Sequence, residues 1–391
     1  MTGTDADVIV IGAGLVGAAA AWAMTRRGAG VLVLEGRRIG HRDGSSHGSS
    51  RIFRRAYPEA EYAALTGRAQ ALWSELGDEV GEPLLHRTGG VDHGAGRQLG
   101  QIKEALDRHG VPSELIAAAE AEARWPGMRF AGDVLFHPEA GVINADQTVR
   151  ALTTVATARG AELREQVEVT DVRQAGVFVE VVTNADVLRA RRVVVAAGAW
   201  VAELLPAEIA SRFPEYTVTQ QQVFHFPRRD PDVAWPVVIH RAGETAGDEI
   251  YALPSGSDGG AAPAFKVAEH ELGVPTTARN RDFVVDPASR QRMVDYVQRW
   301  LPGLVPEVAA EITCLYTTTA DRDFVLDRVD GVVVASPCSG HGAKFAPVTG
   351  ELIADLALTD APTSPRFALH PHRLSHTSRR PFPPLNVPKE Q

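Results

Sequence analysis

Residues 7–35, DVIVIGAGLVGAAAAWAMTRRGAGVLVLE, decide how the rest of the chain is read. Val8, Ile9, Val10 and Ile11 form an unbroken apolar run, the pattern of a strand buried on both faces of a parallel sheet. Gly12, Gly14 and Gly17 follow as G-x-G-x-x-G at a strand-to-helix turn. Gly12 permits the sharp turn, Gly14 lets a pyrophosphate approach the backbone, and Gly17 lets helix and strand pack closely. A helix is predicted over 15–27 with Gly28 as its stop, and its N-terminal N–H groups would receive the anion. Residues 31–34 read as the second strand, and Glu35 at its end is placed to accept hydrogen bonds from a ribose diol. A carboxylate there repels a 2′-phosphate, so NADP is disfavoured, while FAD and NAD both stay open.

A chain of 391 residues is long enough for two domains with sizeable cores. Its net charge of −9 argues against nucleic acid or an anionic membrane as a partner. Residues 1–6 lack a basic segment followed by an apolar one, so no signal peptide is expected, and no apolar run approaches a membrane span. The two cysteines, Cys314 and Cys338, fit a cytoplasmic chain without a disulfide framework and are too few for a cysteine-based structural zinc site. The tail at 376–391, with Pro381, Pro383, Pro384 and Pro388, reads as a loosely attached extension.

The segment after Glu35 is a cationic island in an acidic protein: His41, Arg42, His47, Arg51, Arg54 and Arg55 are threaded with glycines and serines, Ser46 among them. A solvated basic loop is the plain reading of such a run. Its position directly after the ribose-binding strand, and its small residues, point instead to a ligand. If the segment is helical, Arg51, Arg54 and Arg55 share one face, an arrangement able to hold a carboxylate bidentately. Helices are predicted at 59–76 with Gly77 as the stop, at 99–109, at 146–159 and at 288–301. Strands are read at 167–169, ending in Val169, at 177–182 and at 193–195. The last enters Ala196-Ala197-Gly198, small residues that allow a second close approach to a dinucleotide. Over 217–254 the pattern turns to alternating strands, an antiparallel sheet. A small-residue spacer at 255–263 leads to a strand at 264–270 with Lys266 and His270 on one face, about 13 Å apart. A lysine so placed is ordinarily an exposed edge residue.

Alternation over 312–317 puts Cys314 and Tyr316 on one face, about 7 Å apart. Runs at 324–327 and 332–335 pair as a hairpin, and the second enters Ser336-Pro337-Cys338-Ser339-Gly340-His341-Gly342-Ala343-Lys344 before a helix reaching Leu358. This second strand, glycine-rich turn and helix form a second anion site. A reduced flavin needs one, because negative charge develops on its N1–C2=O edge, and a nicotinamide does not. Lys344 stands where the helix macrodipole repels a cation, which favours a functional role over a solvent-facing one.

With these motifs the chain resembles the monomeric sarcosine oxidase and N-methyltryptophan oxidase family of covalent-FAD amine oxidases, up to about residue 371. The resemblance rests on the fingerprint from Gly12 to Glu35, the run SHGSSRIFRRAY at 46–57, the strand with Lys266, and TCLYT at 313–317. Asp321, Phe324 and Asp327, then Ser339-Gly340-His341-Gly342 with Lys344 and Phe345, complete it. It implies an α/β fold: a Rossmann-like FAD-binding domain of glutathione-reductase type with an inserted α+β substrate domain built on an antiparallel sheet. The expected division is 1–82, 145–216 and 312–375 for FAD, and 83–144 with 217–311 for substrate.

By the same resemblance Cys314 would carry FAD as an 8α-S-cysteinyl thioether, with Gly12, Gly14, Gly17, Glu35, Ser46, Val169, Gly198, Gly340 and Gly342 around the cofactor. His47 and Arg51 would lie beside the flavin ring, and Lys266 would activate oxygen. Arg54 and Lys344 would grip a substrate carboxylate, and Tyr251, His270, Tyr316 and His341 would line the substrate cavity. The implied activity is oxidation of the C–N bond of a secondary or cyclic α-amino acid, with O2 reduced to hydrogen peroxide by a cytoplasmic monomer. Two departures stand out. Pro337-Cys338 precedes the Ser-Gly-His-Gly run and leaves Cys338 as a competing attachment point, and the long spacer before Lys266 loosens its register. A non-covalent FAD amino-acid oxidase or dehydrogenase, an NAD-dependent dehydrogenase and a non-catalytic flavoprotein subunit are the alternatives.

Overall fold

Five parallel strands lie side by side in the order Val332–Ser336, Val187–Val195, Ala6–Ile11, Val31–Glu35 and Glu162–Glu165. They belong to a computed structural model that describes residues 4–243, 248–362 and 364–369; the tail at 376–391 lies outside the described residues. Ala6–Ile11 takes the centre because Val8 to Ile11 are apolar and buried, as a strand covered on both faces requires. Antiparallel strands Phe178–Thr183 and Val169–Ala175 extend the sheet from the N-terminal half of Val187–Val195. Val325–Val329 lies beyond Val332–Ser336 on the same side, as the expected hairpin.

Helix Leu15–Arg26 packs between Ala145–Ala158 and Ala346–Leu358. Its buried Ala18, Ala19, Ala20, Ala21 and Ala23 keep bulk off the contact, and a Cβ on Gly350 would stand 2.4 Å from the Ala19 carbonyl oxygen. Close crossing of two backbones is therefore written into small residues on both helices. The next helix, Ala60–Val80, passes through the expected stop at Gly77 and ends at Gly81, whose φ of 77° makes the left-handed cap. Gly77 serves the returning chain instead: its carbonyl accepts the Glu82 N–H at 3.1 Å.

A nine-stranded sheet stands against this layer. Its order is Val274–Thr276, Tyr216–Pro227, Ala264–Glu269, Glu249–Pro254, Val237–Arg241, Gly90–His93, Val134–His137 and Glu114–Ile116. Ala310–Thr319 pairs along the other edge of Tyr216–Pro227, so the expected boundary at 312 falls inside a strand of this sheet. Every pairing here is antiparallel except Val237–Arg241 with Gly90–His93. Arg51–Phe53 is a short strand paired with Gly141–Ile143, not a helix, and the shared face of three arginines does not form. Arg55 turns away to Glu139 at 2.8 Å.

Candidate active site

One cavity of about 1090 Å3 runs from the first glycine turn to the second, roofed by the ends of the parallel strands and floored by the nine-stranded sheet. That is at the upper end of ligand cavities, which run to roughly 1000 Å3. Strands present alternate residues to it: Ile239 and Arg241; Glu249, Tyr251 and Leu253; Cys314 and Tyr316. Among the residues expected at the site, Gly12, Gly14, Glu35, Ser46, His47, Arg51, Arg54, Val169 and Gly198 line it. Tyr251, Lys266, His270, Cys314, Tyr316, Gly340, His341, Gly342 and Lys344 line it too. Gly17 does not, because it supports the turn from behind: a Cβ there would lie 1.9 Å from the Gly12 carbonyl oxygen.

At the first turn Gly12 has φ +97°, and a Cβ would meet the Ala196 carbonyl oxygen at 2.6 Å. Glu35 steadies this turn, accepting the Ala13 N–H through one carboxylate oxygen and the Arg37 N–H through the other, both at 2.8 Å. Ser46 reaches across from the basic loop, its hydroxyl accepting the Leu15 N–H at 3.0 Å. The loop is thereby attached to the start of the helix Leu15–Arg26.

At the second turn Ser339 and Gly340 take φ 46° and 75°. A Cβ on Gly340 would press the Tyr316 ring at 2.7 Å, and one on Gly342 would overlap the Pro337 carbonyl oxygen at 1.7 Å. A single-turn 3-10 segment, Gly342–Phe345, then carries Lys344 inward. Its ammonium donates to the His341 carbonyl at 2.9 Å, and its own carbonyl accepts the Trp73 indole N–H at 2.9 Å. Burial, with help from the Arg54 charge, pushes the Lys344 pKa well below the usual lysine range. An anion bound beside Arg54 and Lys344 would favour the protonated form of the lysine. Arg54 lies over the Tyr57 ring, 4.7 Å from its centroid, and the Tyr57 hydroxyl meets His341 Nδ1 at 3.2 Å.

Lys266 is no edge residue. It sits on a strand flanked by Tyr216–Pro227 and Glu249–Pro254, 2 % exposed, donating to the Ser50 carbonyl at 2.8 Å with Asp258 at 3.8 Å. Burial and Arg51 bring its pKa down to about 7, against the pull of Asp258. Asp258, despite its own burial, is held near 2 by Lys266 and by hydrogen bonds from Ser49. Cys314 is buried; burial raises its thiol pKa, while Arg51, Lys266 and Arg281 oppose that rise. Arg281 ties the strand to the basic loop, donating to Thr313 Oγ1 and to the Arg42 carbonyl, each at 2.8 Å. Cys338 also borders the cavity and accepts the Thr317 N–H at 3.5 Å.

The cavity suits a flavin dinucleotide on two observations. His47 Nε2 is buried without a hydrogen-bond partner among the described residues, and burial with the nearby Arg51 lowers its pKa to about 3, so it is neutral. Glycine backbone forms both ends of the same cavity, at Gly12 and Gly14 and at Gly340 and Gly342. Arg97, Glu249 and Asp258 also line it, without having been singled out from the sequence, beside Tyr57 from the run at 46–57. The alternation of Glu249, Tyr251 and Leu253 is a local signal for one of them, and an acid within the Ser/Gly spacer is a weaker one for Asp258.

Residues 7–356 match the family model described as FAD dependent oxidoreductase. A monomeric sarcosine oxidase of Streptomyces avermitilis is 34% identical over 94% of this chain and 98% of its own. An N-methyl-L-tryptophan oxidase of Yersinia pestis is 30% identical over 92% and 96%. Among solved structures, NikD, an amino acid oxidase essential for nikkomycin biosynthesis, superposes with a TM-score of 0.84 at 25% identity, covering 94% of this chain and 98% of NikD. The chain belongs to the FAD-dependent oxidoreductases, on the branch that holds the monomeric sarcosine oxidases and N-methyltryptophan oxidases.

Proposed function

We propose that this enzyme oxidises the C–N bond of a secondary or cyclic α-amino acid of the sarcosine, N-methyl amino acid or pipecolate type, with oxygen as electron acceptor. The observation that carries the proposal is the meeting of Arg54, Lys344, Lys266 and Cys314 in one cavity closed at both ends by glycine turns. FAD, when bound, would supply the acceptor for the hydride and the route by which the two electrons reach O2 to give hydrogen peroxide. Arg54 and Lys344 bind the substrate carboxylate and orient the carbon beside nitrogen, a gain in effective concentration. Their charge also disfavours an ammonium, so the amine enters the reaction neutral. The imine leaves to hydrolyse or cyclise.

Lys266 has a separate part: a cation about 4 Å from an oxygen-derived anion, at an effective dielectric near 20, is worth roughly 4 kcal/mol, or about a thousandfold in rate. Tyr251, His270, Tyr316 and His341 shape the substrate space. His47 and Arg51 would lie beside the ring of the cofactor, and Cys314 would hold it by a thioether. Three cations near a buried thiol support that last reading, because a nucleophilic thiolate needs them. We also propose that the enzyme acts as a cytoplasmic monomer; no helix among the described residues is long and apolar enough to cross a membrane. Two domains are proposed, an FAD domain of 1–82, 145–216 and the chain after the strand Ala310–Thr319, and a substrate domain of 83–144 and 217–319.

Anaerobic mixing with sarcosine, N-methyltryptophan and pipecolate, read at the visible flavin band, tests the activity. Bleaching by at least one is expected, and no bleaching by any secondary amino acid refutes it. Acid precipitation tests the tether: colour stays with the protein pellet in the parent and moves to the supernatant in Cys314→Ala. Colour retained by that variant transfers the attachment to another residue, Cys338 first.

A further inference from the structure

The cavity floor carries one acid that the reaction just described does not use. Glu249 lies on the same strand face as Tyr251, two residues along and therefore about 7 Å away. Directly across the neighbouring strand is Arg241. The carboxylate is partly buried and lines the cavity, yet among the described residues it has no hydrogen-bond or ion-pair partner. Burial alone would raise its pKa, but interactions through space with His270, Arg97, Arg54 and Arg241, none of them in contact, lower it below the usual carboxylate range. Arg97 is occupied by Asp92, to which it donates at 2.6 Å, and Arg241 donates to the Gly243 carbonyl at 3.2 Å.

An ionised acceptor left open beside the substrate space selects for a donor. We infer that Glu249 is a specificity-determining residue that accepts a hydrogen bond from a neutral N–H or O–H group on the substrate side chain, such as an amide or a ring N–H. A second full cation is disfavoured, because three guanidinium groups already surround the position and repel it. A second carboxylate is disfavoured by Glu249 itself. The substrate class is thus narrowed to secondary α-amino acids bearing a neutral donor about 7 Å along the face from Tyr251.

The inference rests on the activity proposed above, and its test separates the two. Paired substrates differ only in the donor: an N-methyl amino acid with a primary side-chain amide against its N,N-dimethyl amide, and N-methyltryptophan against the same molecule methylated on the indole nitrogen. In the parent enzyme kcat/KM for the donor-bearing member of at least one pair is expected to exceed that of its partner by about tenfold or more. Glu249→Ala and the bulk-preserving Glu249→Met should bring that ratio close to one, with the flavin spectrum retained. A ratio unchanged by both substitutions, or no preference for the donor in either pair, overturns the role of Glu249. If sarcosine and the other secondary amines all fail to bleach the parent enzyme, the proposed activity falls instead.

Discussion

The two glycine-rich turns use one backbone device for different ends. Both leave the C-terminal ends of strands in the same parallel sheet, where open α/β folds gather their ligands. The first, at Gly12 and Gly14, begins a full α-helix and is steadied by an anionic Glu35 and a serine hydroxyl; no cation enters it from its own helix. The second passes through two left-handed residues and a 3-10 turn, and buries the ammonium of Lys344. A helix start alone binds an anion, whereas a helix start with a buried cation can also grip a reacting molecule. The comparison predicts that damage to the first turn costs cofactor and damage to the second costs substrate as well.

The harshest way to break it is Gly342→Ala. The added Cβ would overlap a backbone carbonyl at 1.7 Å, so loss of soluble yellow protein is expected. Gly14→Ala meets the Ser46 hydroxyl at 2.8 Å, the end of a side chain that can rotate, and should fold with reduced flavin incorporation. Equal behaviour of the two variants on expression and flavin absorbance would erase the distinction. Lys266→Met stands outside both turns and should slow reoxidation by about a thousandfold while leaving anaerobic reduction mostly intact. Stopped-flow measurement of the two half-reactions decides this, and equal losses in both would remove Lys266 from oxygen chemistry.

Arg54→Ala and Lys344→Ala should keep the flavin but weaken binding of carboxylated amines by roughly 10- to 100-fold, as loss of charged hydrogen bonds does. Spectral titration under anaerobic conditions measures it. Because the Lys266 pKa is about 7, its cationic form is lost as pH rises through that value. Reoxidation should therefore fall by up to about tenfold per pH unit above it, and Lys266→Met should flatten the profile. The mildest change is Ser46→Ala, which removes the hydroxyl that accepts the Leu15 N–H. Its expected cost is about 1 kcal/mol, read as a shift of a few degrees in Tm.

Both turns were legible in the sequence because a missing Cβ is a local, absolute constraint, and strand, turn and helix follow one another without a gap. Lys266 was not legible in the same way. Its neighbours Phe265 and Val267 alternate with it whether the strand is an edge or an interior one, and only the pairing with Tyr216–Pro227 and Glu249–Pro254 makes it central. Arg51–Phe53 is too short for a period to declare itself, so a helical face of arginines was equally consistent. Gly77 carried a stop signal that its environment overrides, since the chain returns against it before the helix ends at Gly81. Arg97 enters the cavity from the segment 83–144, where nothing local distinguishes it, and Asp258 enters from the small-residue spacer, where an acid among serines and glycines is only a weak signal.

The hydrogen bond from Lys266 to the Ser50 carbonyl joins positions 216 residues apart, one on each side of the cleft. Competence therefore belongs to the seam between the layers and to neither layer separately. Heat that parts this seam would silence turnover while both sheets stay formed, so the half-life of activity should be shorter than that of the far-ultraviolet circular dichroism signal.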